Sequence, residues 1–269
     1  QKYEFYTHTA LVDDRPYLEL TFTESRSHYF EWFTKEDFAV SDPASGVAGD
    51  EHWDDVVFLL NGTETITGSA GTWNEYVSDT KSDIGINMNT NTFSKTSSTG
   101  GRWSDYGYIC NDDSNGYFQS LNSSVMDFGT GDWTIEYWLY WASGASSSGY
   151  ESILSRGYQG TNEWSIHTGN NNKTPRIKLS SSSALFEFSS AVGTDEWHHH
   201  AFVREGTSVR GYLDGKFMGS GTVDASLVVG NGGAMMIGDV YAGGSPENLY
   251  IQDGSIWDDI RLTKKARYS

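Results

Sequence analysis

Short stretches in which apolar and polar residues alternate, divided by turn residues, recur along most of this chain. The densest is DWTIEYWLYW (132–141), where every second residue from Trp133 to Trp141 is large and apolar. Successive side chains of a strand point to opposite faces, and the intervening positions of this segment are bulky too. The pattern therefore predicts a central strand that is covered on both faces.

Further segments share this short period and a similar spacing. They are VVFLL (56–60), ESILSRG (151–157), NEWSIHTG (162–169), TPRIKLSS (174–181), EWHHHAFVREG (196–206), VRGYLDGKFMGSG (209–221), AMMIGDV (234–240) and SIWDDIRLT (255–263). In one of them Asp214-Gly215 is a strong signal for a two-residue hairpin turn. No long helical period occurs, so about a dozen strands predict an all-β, antiparallel two-sheet sandwich.

The first fifty residues follow a different pattern. PYLELTFTES (16–25) alternates as a half-buried strand does, and SDPASGVAGDEHW (41–53) is rich in turn residues and is typical of a linker. The sequence therefore predicts a short N-terminal β segment with its linker, residues 1–50, and one β domain, residues 51–269. The N-terminal segment is a candidate region for attachment to other proteins.

The charge and the cysteine content of the chain limit its expected partners and its folding compartment. The net charge of −18 argues against nucleic acid and anionic membranes, because both would repel the chain. Cys110 is the single cysteine, so no intrachain disulfide can form, and folding in a reducing compartment is expected. No stretch of this sequence has the length and apolar character of a membrane span or a signal peptide, so membrane insertion is not expected.

The order of several motifs resembles that of laminin-G-like, concanavalin A-like jelly-roll domains over about residues 54–269. The motifs are VVFLLNG, GTGDWTIEYWLY, ILSRG, EWHHHAFVREG, VRGYLDGKFMGSG, MMIGD and SIWDDIRLTKKARYS. The closing DDIRLTKKARYS is most similar to versions in tail and particle proteins of bacteriophages, notably marine ones. The resemblance implies a jelly roll that binds glycans or protein partners, in some members with a bound calcium ion. Fold alone does not fix function.

Two adjacent acids, Asp258 and Asp259, interrupt the apolar pattern of the last strand. Strict alternation would place Asp258 on the core face with Ile260 and Asp259 on the opposite face with Arg261. One interpretation is a structural Ca²⁺ site that also uses Glu64, because the family topology brings the first and last strands together. The alternative is that Asp258 caps backbone amides while Asp259 pairs with Arg261.

Two other polar groups are candidates for ligands. The loop CNDDSNG (110–116) supplies Asp112, Asp113 and Asn115, which suit either a calcium ion or sugar, or simply a tight turn. His198, His199 and His200 invite a zinc interpretation. Alternation argues against it, because it places His198 and His200 on one face and His199 on the other. The family resemblance implies a core position for His199, within a Trp-x-His strand, which leaves the other two exposed.

Catalysis is not expected. Glycoside hydrolysis needs two carboxyl groups across a cleft, and the Glu-x-Asp-x-(x)-Glu strand motif of the related glucanases is missing. Sugar binding in such modules usually relies on an exposed aromatic ring with hydrogen-bonding neighbours. Candidate loop aromatics are Trp73, Tyr76, Trp103, Tyr106, Tyr150, Tyr158 and Tyr241.

These observations favour a non-catalytic structural protein of a phage particle, as a tail fibre, an appendage subunit or a capsid decoration. Residues 1–50 would contact other virion proteins or sister subunits, and the jelly roll would be displayed outward. The protein would be made in the host cytoplasm and located in the virion. The alternative is a carbohydrate-binding module for cell-surface glycans, with or without calcium.

Overall fold

The structure is a computed structural model, and it describes most of the predicted β domain. The described residues run from 50 to 268 with gaps at 65–74, 80, 83, 89–92, 96–99, 103–105, 111–116, 122, 145–149, 159–160, 170–171, 180–184, 224–232, 240, 243–244 and 247–250. The predicted strand in residues 16–25 and most of the linker lie outside these ranges.

Within the described ranges the chain is built almost entirely of strands. In chain order they are β1 (Val56–Leu60), β2 (Glu75–Ser78), β3 (Gly85–Met88), β4 (Phe93–Lys95), β5 (Tyr108–Cys110), β6 (Phe118–Ser120), β7 (Trp133–Tyr140), β8 (Ser152–Tyr158), β9 (Thr161–His167), β10 (Arg176–Leu179), β11 (Phe186–Glu187), β12 (Trp197–Glu205), β13 (Ser208–Leu213), β14 (Lys216–Thr222), β15 (Met235–Ile237), β16 (Tyr241–Ala242), β17 (Ser245–Pro246) and β18 (Ile256–Thr263). Two short 3-10 helices, Trp53–Asp55 and Ser124–Met126, are the helical elements described.

The strands form two sheets, which confirms the predicted sandwich. The first sheet has the order β14-β13-β12-β7-β18-β5-β4, with β1 also paired to β18. The second has the order β11-β10-β9-β8-β15-β6-β3-β2, with β16 and β17 attached at β8. Among the described strands, pairing is antiparallel except for one parallel bridge between β16 and β8. The central position predicted for the strand at 133–140 is confirmed, since β7 lies between β12 and β18.

The closing strand joins the two ends of the domain. Val56 pairs with Thr263 and Leu60 with Ile260, so β1 and β18 are neighbours, as the family resemblance implied. The core lies between the sheets and is filled by aromatic and aliphatic side chains. Four tryptophans, Trp133, Trp141, Trp164 and Trp257, are fully buried in it. Each such side chain contributes roughly 1.5–3 kcal/mol by leaving water.

The predicted hairpin turn is also confirmed. Asp214 and Gly215 have φ values of +49° and +76°, the left-handed conformation that a type I′ turn requires at both central positions. None of the helices in the described part of the chain has the length and apolar character of a membrane span.

Candidate functional site

The two adjacent acids of the last strand form a β-bulge. The pairing of β18 with β7 shifts between Asp258 and Arg261, and Asp259 has a φ of +45°. Asp tolerates this left-handed conformation better than most residues. The extra residue resets the alternation, so Trp257, Ile260 and Leu262 face the core.

The face assignment predicted from strict alternation was therefore wrong. Asp258 lies opposite Trp138 and Arg261 opposite Glu136, which places Asp258 on the outer face of the first sheet. Its carboxylate accepts hydrogen bonds from the backbone N–H of Asp259 at 2.9 Å and of Arg102 at 2.7 Å. The amide-capping interpretation of Asp258 matches this geometry.

Glu64 lies beside this bulge, but its carboxylate is already engaged. Its Oε1 accepts from the backbone N–H of Asn61 at 2.7 Å, and its Oε2 accepts from the hydroxyl of Tyr108 at 2.6 Å. Burial and the negative charge of Glu64 raise the pKa of Tyr108 well above its ordinary value, so the phenol keeps its proton. Burial and the neighbouring Asp258 raise the pKa of Asp259 as well.

The three acids of the predicted calcium site, Glu64, Asp258 and Asp259, lie near one another at the bulge. Hydrogen-bond donors occupy all four carboxylate oxygens of Glu64 and Asp258, and Asp259 favours its neutral form. Among the described residues, no group of three or more His, Cys, Asp or Glu is arranged to hold a metal ion. The calcium site stays a prediction. The second candidate loop, with Asp112, Asp113 and Asn115, lies outside the described residues.

The three histidines on β12 have three different environments. His198 lies at the surface, with Nδ1 2.6 Å from Asp214 Oδ2. His199 lies on the outer face of the first sheet, 3.4 Å from Glu136 and in edge contact with Tyr268. His200 is fully buried in the core, stacked on Tyr137.

The exposed position predicted for His200 was thus wrong. His199 is buried on the face of Ala201 and Val203, as predicted, although this face is the outer one of the first sheet. The outer face of this strand is itself covered by the C-terminal segment, which alternation along one strand cannot show. Burial and its positive neighbours lower the pKa of His200 to about 3, so its imidazole is neutral. Hydrogen bonds and charge from Asp214 raise the pKa of His198.

A buried ionic cluster, here called the C-terminal clasp, consists of Asp50, Glu136, Arg261, Arg267 and Tyr268. Arg267 lies 2.7 Å from Asp50 and 3.0 Å from Glu136. Arg261 lies 2.6 Å from Asp50, and the hydroxyl of Tyr268 donates to Glu136. Although burial alone would raise the pKa of Glu136, the two arginines and a hydrogen bond with His199 hold it well below its usual range.

A second buried ion pair lies at the end of the second sheet, and a hydrogen bond from Trp141 links it to the first sheet. Lys173 Nζ lies 2.6 and 2.8 Å from the two carboxylate oxygens of Glu151, and Trp141 Nε1 donates to Glu151 at 2.6 Å. Burial raises the pKa of Glu151 and lowers that of Lys173, and their attraction opposes both shifts. This group and the clasp hold the fold together, and their carboxylates have no open side for a ligand.

The outer face of the second sheet carries a different kind of cluster, which we call the basic patch: His167, Arg176 and Lys178. Ile177 and Leu179 of β10 face the core, so Arg176 and Lys178 share the opposite face. Arg176 pairs in register with His167 of β9, and Lys178 with Ser165. The two cations are partly exposed, while His167 is 7% exposed.

The ring of Tyr150 lies at the border of the basic patch. It is 39% exposed, and its centroid is 6.0 Å from the guanidinium carbon of Arg176. Gly169 makes room for that guanidinium, because a Cβ at this position would collide with it. Of the candidate loop aromatics, Tyr106 and Tyr150 are the two whose side chains the structure describes as exposed.

Sequence reasoning identified Tyr150 as a candidate but missed the basic patch. The signal was present: in TPRIKLSS the charged residues alternate with apolar ones, and in NEWSIHTG Ser165 and His167 alternate with Trp164 and Ile166. What the sequence could not show is that these faces lie side by side. That adjacency comes from the pairing of β9 with β10.

Comparisons with known proteins agree with this architecture. Solved structures with a similar fold include the binding domain of Paraclostridial Mosquitocidal Protein 1, at 11% identity and a TM-score of 0.56. Two others are binding domains of Botulinum neurotoxin DC, one in complex with rat synaptotagmin II (13% identity) and one in complex with SialylT (12%), each with a TM-score of 0.53.

Each similarity covers 80% of this chain, and the chain spans about half the length of those proteins, at 49–50%. At such identities the likeness shows the fold alone. No curated protein matches the sequence. The model of the Laminin_G_3 family, described as the concanavalin A-like lectin/glucanases superfamily, matches residues 112–265, which is more than half of the chain. The chain is therefore a member of this superfamily.

Proposed function

We propose that this domain is a non-catalytic binding module that recognises a glycan on a cell surface. The observation that carries the proposal is the exposed ring of Tyr150 beside the guanidinium of Arg176. The apolar face of a sugar ring packs on an aromatic side chain, and the sugar hydroxyls accept hydrogen bonds from a fixed fork of donors. Both kinds of group are present here on one surface.

The state of the buried carboxylates supports binding without turnover. Glycoside hydrolysis needs one carboxyl group as acid and a second as nucleophile or base, on either side of the scissile bond. In the described part of the chain Glu64, Glu136, Glu151 and Asp258 are buried and hydrogen-bonded to protein groups. Such carboxylates stabilise the fold and have no free face toward a substrate.

The similar structures support the same class of function. All of those named above are binding domains, and one was solved in complex with SialylT. At such low sequence identity, the ligands of those proteins cannot be assigned to this chain. The support lies in the use of this sandwich as a recognition module.

A glycan array probed with the full chain tests the proposal. We expect binding to a restricted set of glycans, loss of that binding in Tyr150→Ala, and no loss in Tyr106→Ala. The second variant is a matched control, because Tyr106 is also 39% exposed. Absence of binding to every glycan would refute the proposal, and release of reducing sugar from a bound glycan would refute its non-catalytic part. The same array in the presence of EDTA tests the calcium prediction. If the module depends on calcium, EDTA should reduce its glycan binding.

The setting we propose is a phage particle, in which residues 1–50 attach the module to virion proteins or to sister subunits. The support is the likeness of the closing segment DDIRLTKKARYS to phage tail and particle proteins. Labelling of virions with an antibody to this chain tests the idea. Electron microscopy should show the label at one defined place on the particle, and unlabelled particles would contradict this setting while leaving glycan recognition intact.

A further inference from the structure

We infer that the basic patch of His167, Arg176 and Lys178 is a subsite for a sugar that carries a carboxylate. This inference rests on the proposed glycan recognition and names the class of glycan. Three features support it: the charge of the surface, the register of the strands, and the room that Gly169 leaves for the guanidinium.

The basic patch lies on a strongly acidic chain. The chain has 36 acidic and 18 basic residues, so a cation on its surface normally has an acidic neighbour. Among the described residues, neither Arg176 nor Lys178 has a carboxylate within ion-pair distance, and Arg176 Nε is buried without a hydrogen-bond partner. Glu187 lies opposite Arg176 in the strand register, but its Oε1 accepts from the side chain of Asn172 at 3.1 Å. Glu187 keeps its negative charge, but among the described residues neither cation of the patch is held in an ion pair, so both can receive an anion from solution.

The spacing of the two cations suits a carboxylate. Arg176 and Lys178 are two positions apart on one strand, so their Cα atoms are about 7 Å apart on the same face. A carboxylate accepts two parallel hydrogen bonds from a guanidinium, and a nearby ammonium adds a point charge. Tyr150 borders Arg176, so a sugar ring on the tyrosine can place its carboxylate on the guanidinium.

The charges of the basic patch affect the pKa values of Lys178 and His167. Burial, and then the charge of Arg176, lower the pKa of Lys178, because two neighbouring cations disfavour each other. A bound anion would relieve this repulsion. Burial and the same two cations lower the pKa of His167 to about 3, so its imidazole is neutral and adds no charge to the patch. Its Nδ1 lies 3.4 Å from the hydroxyl of Ser165.

Gly169 lies against the guanidinium of Arg176. A Cβ at Gly169 would collide with the end of the Arg176 side chain, which is flexible and can move aside. Gly169 has an ordinary φ, so alanine is compatible with its backbone. Gly169→Ala is therefore a variant that keeps the charge of the patch and displaces only the guanidinium.

The experiment is a calorimetric titration of the full chain with matched glycan pairs. The pairs are sialyllactose with lactose, and a glucuronate-terminated oligosaccharide with its glucose-terminated counterpart. We expect at least one acidic member to bind tenfold or more tightly than its neutral partner. Arg176→Gln and Lys178→Gln should each lower the affinity for the acidic ligand about tenfold and leave the affinity for the neutral ligand unchanged. Gly169→Ala should lower the affinity for the acidic ligand although the charge of the basic patch stays the same.

Lys216→Gln is the matched control, since Lys216 is an exposed lysine on the first sheet. It should leave both affinities unchanged, and thermal unfolding should show that all variants fold like the parent. Equal affinity for acidic and neutral members would overturn the inference while the proposed glycan recognition stands. Tighter binding of a sulfated sugar than of either carboxylate would overturn the assigned class. A chain that binds no glycan at all, including those on the array, refutes the proposed function itself.

Discussion

The backbone N–H of Asp259 donates a hydrogen bond to the side chain of Asp258 at 2.9 Å. This contact closes the bulge in the last strand and explains why two acids can interrupt an apolar run. Asp258 is satisfied by two backbone amides, whereas Asp259 Oδ2 has no hydrogen-bond partner among the described residues. The two neighbours therefore differ in their contributions to stability, although both are buried.

Asp259→Asn should stabilise the protein at neutral and alkaline pH. Burial and Asp258 raise the pKa of Asp259 above 3.8 in the folded state. The stability that this group contributes is fully present below its unfolded pKa and is lost as the pH rises through the folded pKa. Asn removes this loss and tolerates the same left-handed backbone. Urea unfolding at several pH values should show a difference in the free energy of unfolding that grows with pH.

Asp259→Ala distinguishes the effect of the carboxylate on stability from the effect of the left-handed backbone conformation. Alanine also removes the carboxylate, but a φ of +45° costs it roughly 1–2 kcal/mol. We expect Ala to be less stable than Asn at every pH by about that amount. Equal stability of the two variants would contradict the assignment of a left-handed bulge residue.

His200→Phe should make the protein less sensitive to acid. The pKa of His200 is about 3 in the folded state against an ordinary 6.5, so the unfolded chain takes up a proton first as the pH falls. Stability from this group is therefore lost between about pH 6.5 and 3, at about 1.4 kcal/mol per pH unit. Phe keeps the ring stack on Tyr137 and cannot be protonated. Thermal unfolding from pH 7 to pH 4 should show a shallower decline for the variant.

His198→Gln should have the opposite pH signature. Asp214 raises the pKa of His198, so its contribution is present below the unfolded pKa and lost as the pH rises through the folded one. Replacement should therefore cost more stability at pH 5 than at pH 8. A variant whose cost increases toward alkaline pH would show that the imidazole is not held as a cation by Asp214.

Lys173→Met should destabilise the fold by about 3–5 kcal/mol, because it leaves the buried carboxylate of Glu151 without its cation. The double variant Lys173→Met with Glu151→Gln should recover part of this loss, since the amide can still accept from Trp141. Urea unfolding of the four proteins in the cycle gives the coupling energy. Strictly additive effects would mean that the pair does not interact in solution.

Arg267→Met should also cost about 3–5 kcal/mol, since Arg267 contacts both Asp50 and Glu136 in the C-terminal clasp. Lys264→Met is a nearby control with an exposed side chain and should change stability by less than about 0.5 kcal/mol. Chemical unfolding at pH 7 compares the two. If Arg267→Met were as stable as Lys264→Met, the clasp would not hold the closing segment to the first sheet.

The alternation of residues along single strands was sufficient to predict the sandwich, the central place of β7 and the Asp214-Gly215 turn. These features depend on local patterns, because side-chain period and turn geometry are properties of a few adjacent residues. The same reasoning gave the wrong faces for Asp258 and Asp259, since one residue in a bulge reverses every later position.

Other features depend on residues far apart in the chain. His200 is buried because Phe188 and Tyr137 pack on it, and His199 because Tyr268 covers it. The sequence by itself determined which residues could form strands and which faces would be apolar. Tertiary structure alone decided which polar side chains meet: Asp50 with Arg267 across 217 positions, and Arg176 with His167 across two strands. Ionic and hydrogen-bonded contacts act over a few ångströms, so they follow the packing of the sheets and not the order of the chain.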